Sequence, residues 1–198
     1  RINIGGQVLR KDMSPLAQSI LRTIAYFDVL DLPLTLLELW SYLVRVPDLP
    51  PTISLGEVET AAAALRGQVE LRDGFYFLQG RRELLESRQT RYKISLRRFR
   101  KSRKILYWLR YFPYLRAVAL SGSQALLNSG LDSDIDLFMV TKKNRIWLAR
   151  VLVSFYFQIL GQRRHGPYVR YRFCLNHYVR EGVLLSQDRN LYTAVVYT

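Results

Sequence analysis

Two aspartates separated by one apolar residue, Asp134-Ile135-Asp136, open an apolar run that continues through Val140. Alternation along a strand sends Asp134 and Asp136 to one face and Ile135 and Leu137 to the other. Like charges on one face repel, and a shared divalent cation relieves that repulsion, so a strand that starts this way can become a metal site. Mg2+, or Mn2+ in its place, prefers hard oxygen ligands and keeps several waters, so two carboxylates plus nucleotide phosphates suit it. Ten residues separate Asp134 from Gly122-Ser123, which stand between a short apolar strand, Ala117 to Leu120, and a short helix, Gln124 to Asn128. Glycine allows a close backbone approach, a helix start presents unpaired N–H groups to an anion, and the Ser123 hydroxyl adds a donor. One strand–turn–helix would hold a triphosphate, and the neighbouring strand would hold the metals that bridge it. Either feature alone is equally a tight turn or an exposed acidic strand start. Their joint spacing, with apolar strands on both sides, carries the weight.

Gly122-Ser123, the ten-residue interval and Asp134-Ile135-Asp136, each flanked by apolar strands, resemble the signature of the DNA polymerase β-like nucleotidyltransferase superfamily. The resemblance covers about residues 117–179. It implies an α/β (α+β) nucleotidyltransferase fold around a mixed sheet. It also implies transfer of a nucleoside monophosphate from an NTP to an acceptor, with pyrophosphate released. By position, Gly122 and Ser123 would bind the triphosphate, and Asp134 and Asp136 would bind Mg2+. The family usually adds a third carboxylate from a later strand. The candidate strand here, residues 169–179, contains no Asp or Glu. Asn176 is the nearest substitute: its amide oxygen can ligate Mg2+, but it is neutral and a poor base. His177 could accept a proton, but alternation sets it on the face opposite Asn176, where it is as well a partly buried structural residue. Otherwise the missing acid comes from Asp132 or Asp188, the enzyme is weak, or the domain only binds nucleotide. Asp132 reads better as a turn residue. Lys142, Lys143 and Arg145 follow the acidic strand and either reach phosphates or form an exposed loop and helix start. Lys142 is the candidate phosphate ligand among them.

Residues 1–13 read as a flexible lead-in. Over 14–80, Ser14-Pro15 opens a first helix, and Thr35-Leu36-Leu37-Glu38 and Ser54-Leu55-Gly56-Glu57 are capping boxes that open two more. Val69 to Leu71 and Phe75 to Leu78 flank Asp73-Gly74, a hairpin signal. Three helices and a hairpin in this order make a winged-helix module. Its third helix offers Glu57, Glu59, Thr60 and Arg66, a poor set for reading bases, which points to a structural or protein-docking role. Residues 81–112 pattern as one long basic helix ended by Pro113, a connector to the nucleotidyltransferase core over 113–198. The sequence does not begin with Met, and residues 191–198 stop inside a helical pattern, so the chain is expected to be a piece of a longer protein. The same pattern makes Tyr192 to Ala194 the expected start of a terminal helix.

The formal net charge is +14. Residues 81–110 hold twelve Lys/Arg against two Glu, ten of those net charges. A segment this cationic either attracts nucleic acid by counterion release or is a solvated, solubilising helix face. A single cysteine, Cys174, excludes an internal disulfide and fits a reducing cytoplasm. The most apolar run, Ile146 to Leu160, contains Arg150 and is too short to span a bilayer, so no membrane role is expected and a well-buried helix is. The leading function is a Mg2+-dependent nucleotidyltransferase acting on NTP and an unspecified acceptor. The alternatives are a catalytically degenerate nucleotide- or nucleic-acid-binding regulator and a winged-helix transcription factor with an appended sensor domain.

Overall fold

The computed structural model describes residues 13–166 and 170–182. The lead-in over 1–12, Asp188 and the expected terminal helix at Tyr192 to Ala194 lie outside these residues. The topology is α+β, and the chain divides into two compact units between Gln89 and Thr90.

The first unit contains α1 (Pro15–Val29), β1 (Leu34–Thr35), α2 (Leu36–Ser41), α3 (Leu55–Ala64), β2 (Val69–Arg72) and β3 (Phe75–Leu78). Ser14 caps α1 through the Ala17 N–H, with proline in the first turn, and both capping boxes form, Thr35 with Glu38 and Ser54 with Glu57. Each cap satisfies N–H groups that a helix start leaves without partners. Asp73 and Gly74 both take positive φ, at 51° and 79°, and close a two-residue hairpin between Arg72 and Phe75. Strand β1 adds to β3, so the antiparallel sheet runs β1-β3-β2. Ile20, Ile24, Phe27, Leu39, Val58 and Phe77 fill the core beneath it.

Helix α4 (Glu83–Leu106) crosses the division between the units, and a 3-10 turn, Tyr107–Tyr111, follows it. The expected helix to residue 112 therefore stops six residues sooner, where the chain tightens before Pro113. The expected connector over 81–112 is also not a free-standing element: Ile94, Ser95, Arg98 and Ser102 are buried and belong to the second unit.

The second unit is built on β4 (Leu115–Leu120), β5 (Ile135–Thr141) and β6 (Phe173–Arg180), in the order β4-β5-β6. Strand β5 is antiparallel to β4 and parallel to β6, which makes the sheet mixed. A four-residue helix, α5 (Gly122–Ala125), leads out of β4, and α6 (Ile146–Ile159) makes the crossover from β5 to β6. Along β5, buried and half-buried residues alternate without a break. Ile135, Leu137 and Met139 are fully buried with Leu109, Val153, Phe157 and Phe173. Each large side chain hidden this way contributes about 1.5–3 kcal/mol. The alternation dedicates the other face to Asp136, Phe138 and Val140.

Helix α6 corrects one expectation. It buries Ala149, Val153 and Phe157 against the sheet but leaves Trp147, Val151, Phe155 and Ile159 each more than 60% exposed. An all-round apolar pattern shows that both faces are apolar, not that both are covered by the described residues. None of the described helices is long and apolar enough to cross a membrane.

Candidate functional site

Asp134 immediately precedes β5, and Asp136 is its second residue. Their side chains share the face of the sheet away from α6. On β6, Cys174 pairs with Asp136 and therefore faces the same way. One ligand atom from each of Asp134, Asp136 and Cys174 lies within 4.8 Å of the others. Burial first, then the neighbouring Asp134 charge, pushes the Asp136 carboxyl above its usual range. Burial and the two carboxylates push the Cys174 thiol up, so its hydrogen stays on sulfur and is shared with Asp136.

The turn after β4 closes over this cluster. Ser121 donates its N–H to the Asp136 carbonyl at 3.0 Å, one step beyond the pair Leu120 and Leu137, which places the Ser121 side chain on the carboxylate face. Gly122 follows with φ 61°, and a Cβ there would lie 2.6 Å from Asp136 Oδ2. Both the backbone angle and the space therefore require glycine. The Ser123 hydroxyl stands 3.4 Å from that of Ser129. The Ser121 hydroxyl is buried, with no hydrogen-bond partner.

Helix α4 fixes the loop that enters β5. Gln124 donates to the Ser95 carbonyl at 2.8 Å, the Ser95 hydroxyl accepts the Ser129 N–H at 3.0 Å, and the Ser129 hydroxyl donates to Gln124 Oε1 at 2.9 Å. Arg98, 1% exposed, donates to Ser133 Oγ at 2.6 Å and to the Leu131 carbonyl at 2.8 Å, and its guanidinium lies 4.4 Å from the centre of the Tyr171 ring. The residues on either side of the site are thus tied to one rigid helix.

Three expectations are corrected. Asn176 does not join the carboxylates. Asp136 pairs with Cys174 and Phe138 with His177, so β6 carries one extra residue between them, and Asn176 is exposed at that bulge. The bulge also resets the alternation, so His177 falls on the carboxylate face, where its charge acts on Asp136. Lys142 is six residues beyond Asp136 at the far end of β5, roughly 20 Å away along the strand, out of reach of a phosphate at Gly122. Asp132, by contrast, lies in a turn ahead of β5, as its residue type suggests, 90% exposed and 4.0 Å from Arg170, outside the cluster.

Cys174 is an addition to the site, and Arg164, which the basic loop 162–167 with Arg163 and His165 offers to an anion or to solvent, pairs with a carboxylate instead. Gln162 and Arg164 bond through their backbones to Phe173, and this delivers the Arg164 guanidinium to Asp134 at 2.5 Å. Phe173 and Leu175 read as core residues on either side of Cys174, so alternation alone was enough to place the thiol. A search restricted to oxygen ligands passes over it. Arg164 is 44% exposed, so its pair with Asp134 is open to solvent and to a competing cation. Two carboxylates, a thiol and an unpartnered hydroxyl beside them fit a divalent ion.

Along α4, Arg88 and Arg98 are buried, Arg88 on Glu38 at 2.6 Å, whereas Lys93, Arg97, Arg100, Lys101, Arg103 and Lys104 are exposed. No protein-family model matches this chain, and comparison with curated proteins and with solved structures finds no match either.

Proposed function

We propose that the second unit is a divalent-cation-dependent nucleotidyltransferase that moves a nucleoside monophosphate from an NTP to an acceptor. The observation that carries this reading is the meeting of the Gly122 turn with Asp136 beside Asp134, at the start of the central strand of a mixed sheet. It agrees with the resemblance to the polymerase β-like nucleotidyltransferases. The first unit, with three capped helices and a hairpin, is read as a winged-helix module suited to docking a protein.

In the reaction, an acceptor hydroxyl attacks the α-phosphate in line with the leaving pyrophosphate: the new O–P bond forms as the bond to the β-phosphate breaks, and the hydroxyl proton passes to solvent. A bound Mg2+ or Mn2+ supplies neutralisation of the phosphoryl charge. Asp134 and Asp136 would hold that ion. Gly122 keeps the turn clear of the Asp136 carboxylate, and Ser123 offers a hydroxyl to the triphosphate. Arg164 exchanges its pair with Asp134 for the incoming phosphate charge, a fork suited to phosphate oxygens.

A labelled NTP panel with Mg2+ or Mn2+ tests this. Label transfer that falls at least about 100-fold in Asp134→Ala and Asp136→Ala supports the enzyme. A second reading is a catalytically degenerate nucleotide-binding regulator. A thiol, Cys174, beside the two aspartates on the strand where a third acid is expected, favours it. NTP binding without transfer to any acceptor would establish that reading instead.

A further inference from the structure

We infer that the cluster of Asp134, Asp136 and Cys174 holds a transition-metal ion of the borderline class, such as Fe2+, Co2+ or Zn2+, in preference to Mg2+, with the Cys174 sulfur as a direct ligand. This inference rests on the reading of the site as a cation site for nucleotide chemistry and narrows which ion it takes. Mg2+ demands oxygen donors in near-ideal octahedral geometry, whereas sulfur favours the softer first-row ions and Zn2+. Cys174 is not at the edge of the site. It pairs with Asp136 across β5 and β6, its neighbours Phe173 and Leu175 are anchored in the core, and its sulfur is one of three ligand atoms within 4.8 Å. A backbone held that firmly cannot turn the thiol away to let a water take its place at no cost.

Two further observations point to a ligand. The Ser121 hydroxyl, 2% exposed, sits across from Asp136 on the same face with no hydrogen-bond partner. A buried hydroxyl left without a partner keeps an uncompensated desolvation cost, and an ion or its bound water beside Asp136 would supply the partner. A cation already stands there: the Arg164 guanidinium bonds Asp134 and acts on Cys174 as well. The protein's own positive group marks where an exogenous one is stabilised. On binding, the S–H bond breaks, its proton leaves to solvent, and the sulfur electron pair forms the bond to the ion, with no change of oxidation state.

The chain contains one cysteine, so any sulfur-to-metal charge-transfer band reports on Cys174 alone. The experiment is an ultraviolet titration of the protein with Cd2+, then with Co2+, followed by competition with excess Mg2+. The expected result is a band that saturates at a single ion per chain, resists Mg2+, disappears in Cys174→Ser, and needs at least about tenfold more Cd2+ in Asp134→Ala and Asp136→Ala. Cys174→Asp is expected to weaken Cd2+ and strengthen Mg2+ binding, and serves if the serine variant does not fold. Calorimetric uptake of Cd2+ without a band, or a band indifferent to both aspartate variants, would overturn the inference. The two readings fail separately. Label transfer with Mg2+ that is equal in the wild type and Cys174→Ser, with no band, removes this inference and leaves the transferase. A band without label transfer under any ion removes the transferase and leaves this inference.

Discussion

Replacing Gly122 by alanine puts a methyl carbon 2.6 Å from Asp136 Oδ2 and forces a side-chain-bearing residue to φ 61°. The backbone strain alone costs about 1–2 kcal/mol, and the carboxylate must swing away as well. Gly122→Ala is therefore expected to lower the denaturation midpoint and to weaken metal-dependent nucleotide binding together; urea melts and calorimetry on the same samples check both. Asp136 gives the opposite pairing. Its folded pKa is raised, so between the ordinary carboxylate value and that higher one the folded chain holds more protons than the unfolded chain, and stability falls as pH rises through this window. Asp136→Asn removes a charge that folding places in poor solvent. The variant should melt higher than the wild type at neutral pH, lose that advantage below the ordinary carboxylate range, and be inactive. Thermal melts across pH decide this, and an equal or lower melting point at neutral pH counts against the burial argument. At Asp134, Arg164→Gln removes a solvent-screened ion pair that contributes little to stability and also removes the competing cation. Tighter Mn2+ binding with little change in stability is the expected calorimetric outcome.

Helix α4 is where element and site are linked. Ser95 and Arg98 hold the loop that enters β5 at Asp134, and Arg98 does so from a buried position. Arg98→Ala leaves the Leu131 carbonyl and the Ser133 hydroxyl short of a donor and should cost about 2–3 kcal/mol in urea denaturation. Metal affinity should fall with it, although Arg98 is not a ligand. How far these elements were legible from sequence depended on whether their signal was local. The capping boxes at Thr35 and Ser54, the Asp73-Gly74 turn and the alternation of β5 are set by residues within a few positions of each other, and all were readable. The bulge in β6 arises from pairing with β5, so a single-strand count puts Asn176 with Cys174 on the carboxylate face and His177 on the other, whereas the pairing moves Asn176 out and His177 in. The delivery of Arg164 to Asp134, 30 residues away, depends on its backbone bond to Phe173 and on the pairing of β6 with β5, which the composition of the basic loop does not announce. Helix α6 shows the same limit: its composition announced two apolar faces, but which face meets the sheet is a property of the crossover.

Over the whole molecule, the net charge of +14 is not all available to a partner. Arg88 and Arg98 are buried and bonded, so the field of α4 comes from the exposed stretch Lys93 to Lys104. If that face binds nucleic acid, binding should be indifferent to sequence and should weaken as salt rises, with a logarithmic slope of about 0.7 per phosphate contact on a single strand. Changing Arg100, Lys101, Arg103 and Lys104 together to glutamine is expected to flatten that slope in a fluorescence titration; an unchanged slope assigns this face to solubility instead.

The most direct measurement is a crystal of this chain soaked with Mn2+ and a non-hydrolysable NTP, with the manganese located by its anomalous signal. The expected map has the ion on Asp134 and Asp136, the triphosphate over Gly122 and Ser123, and Arg164 turned from Asp134 to a phosphate oxygen. An ion bound elsewhere, or Arg164 still closed on Asp134 with the nucleotide bound away from the turn, would contradict the assignment of this site.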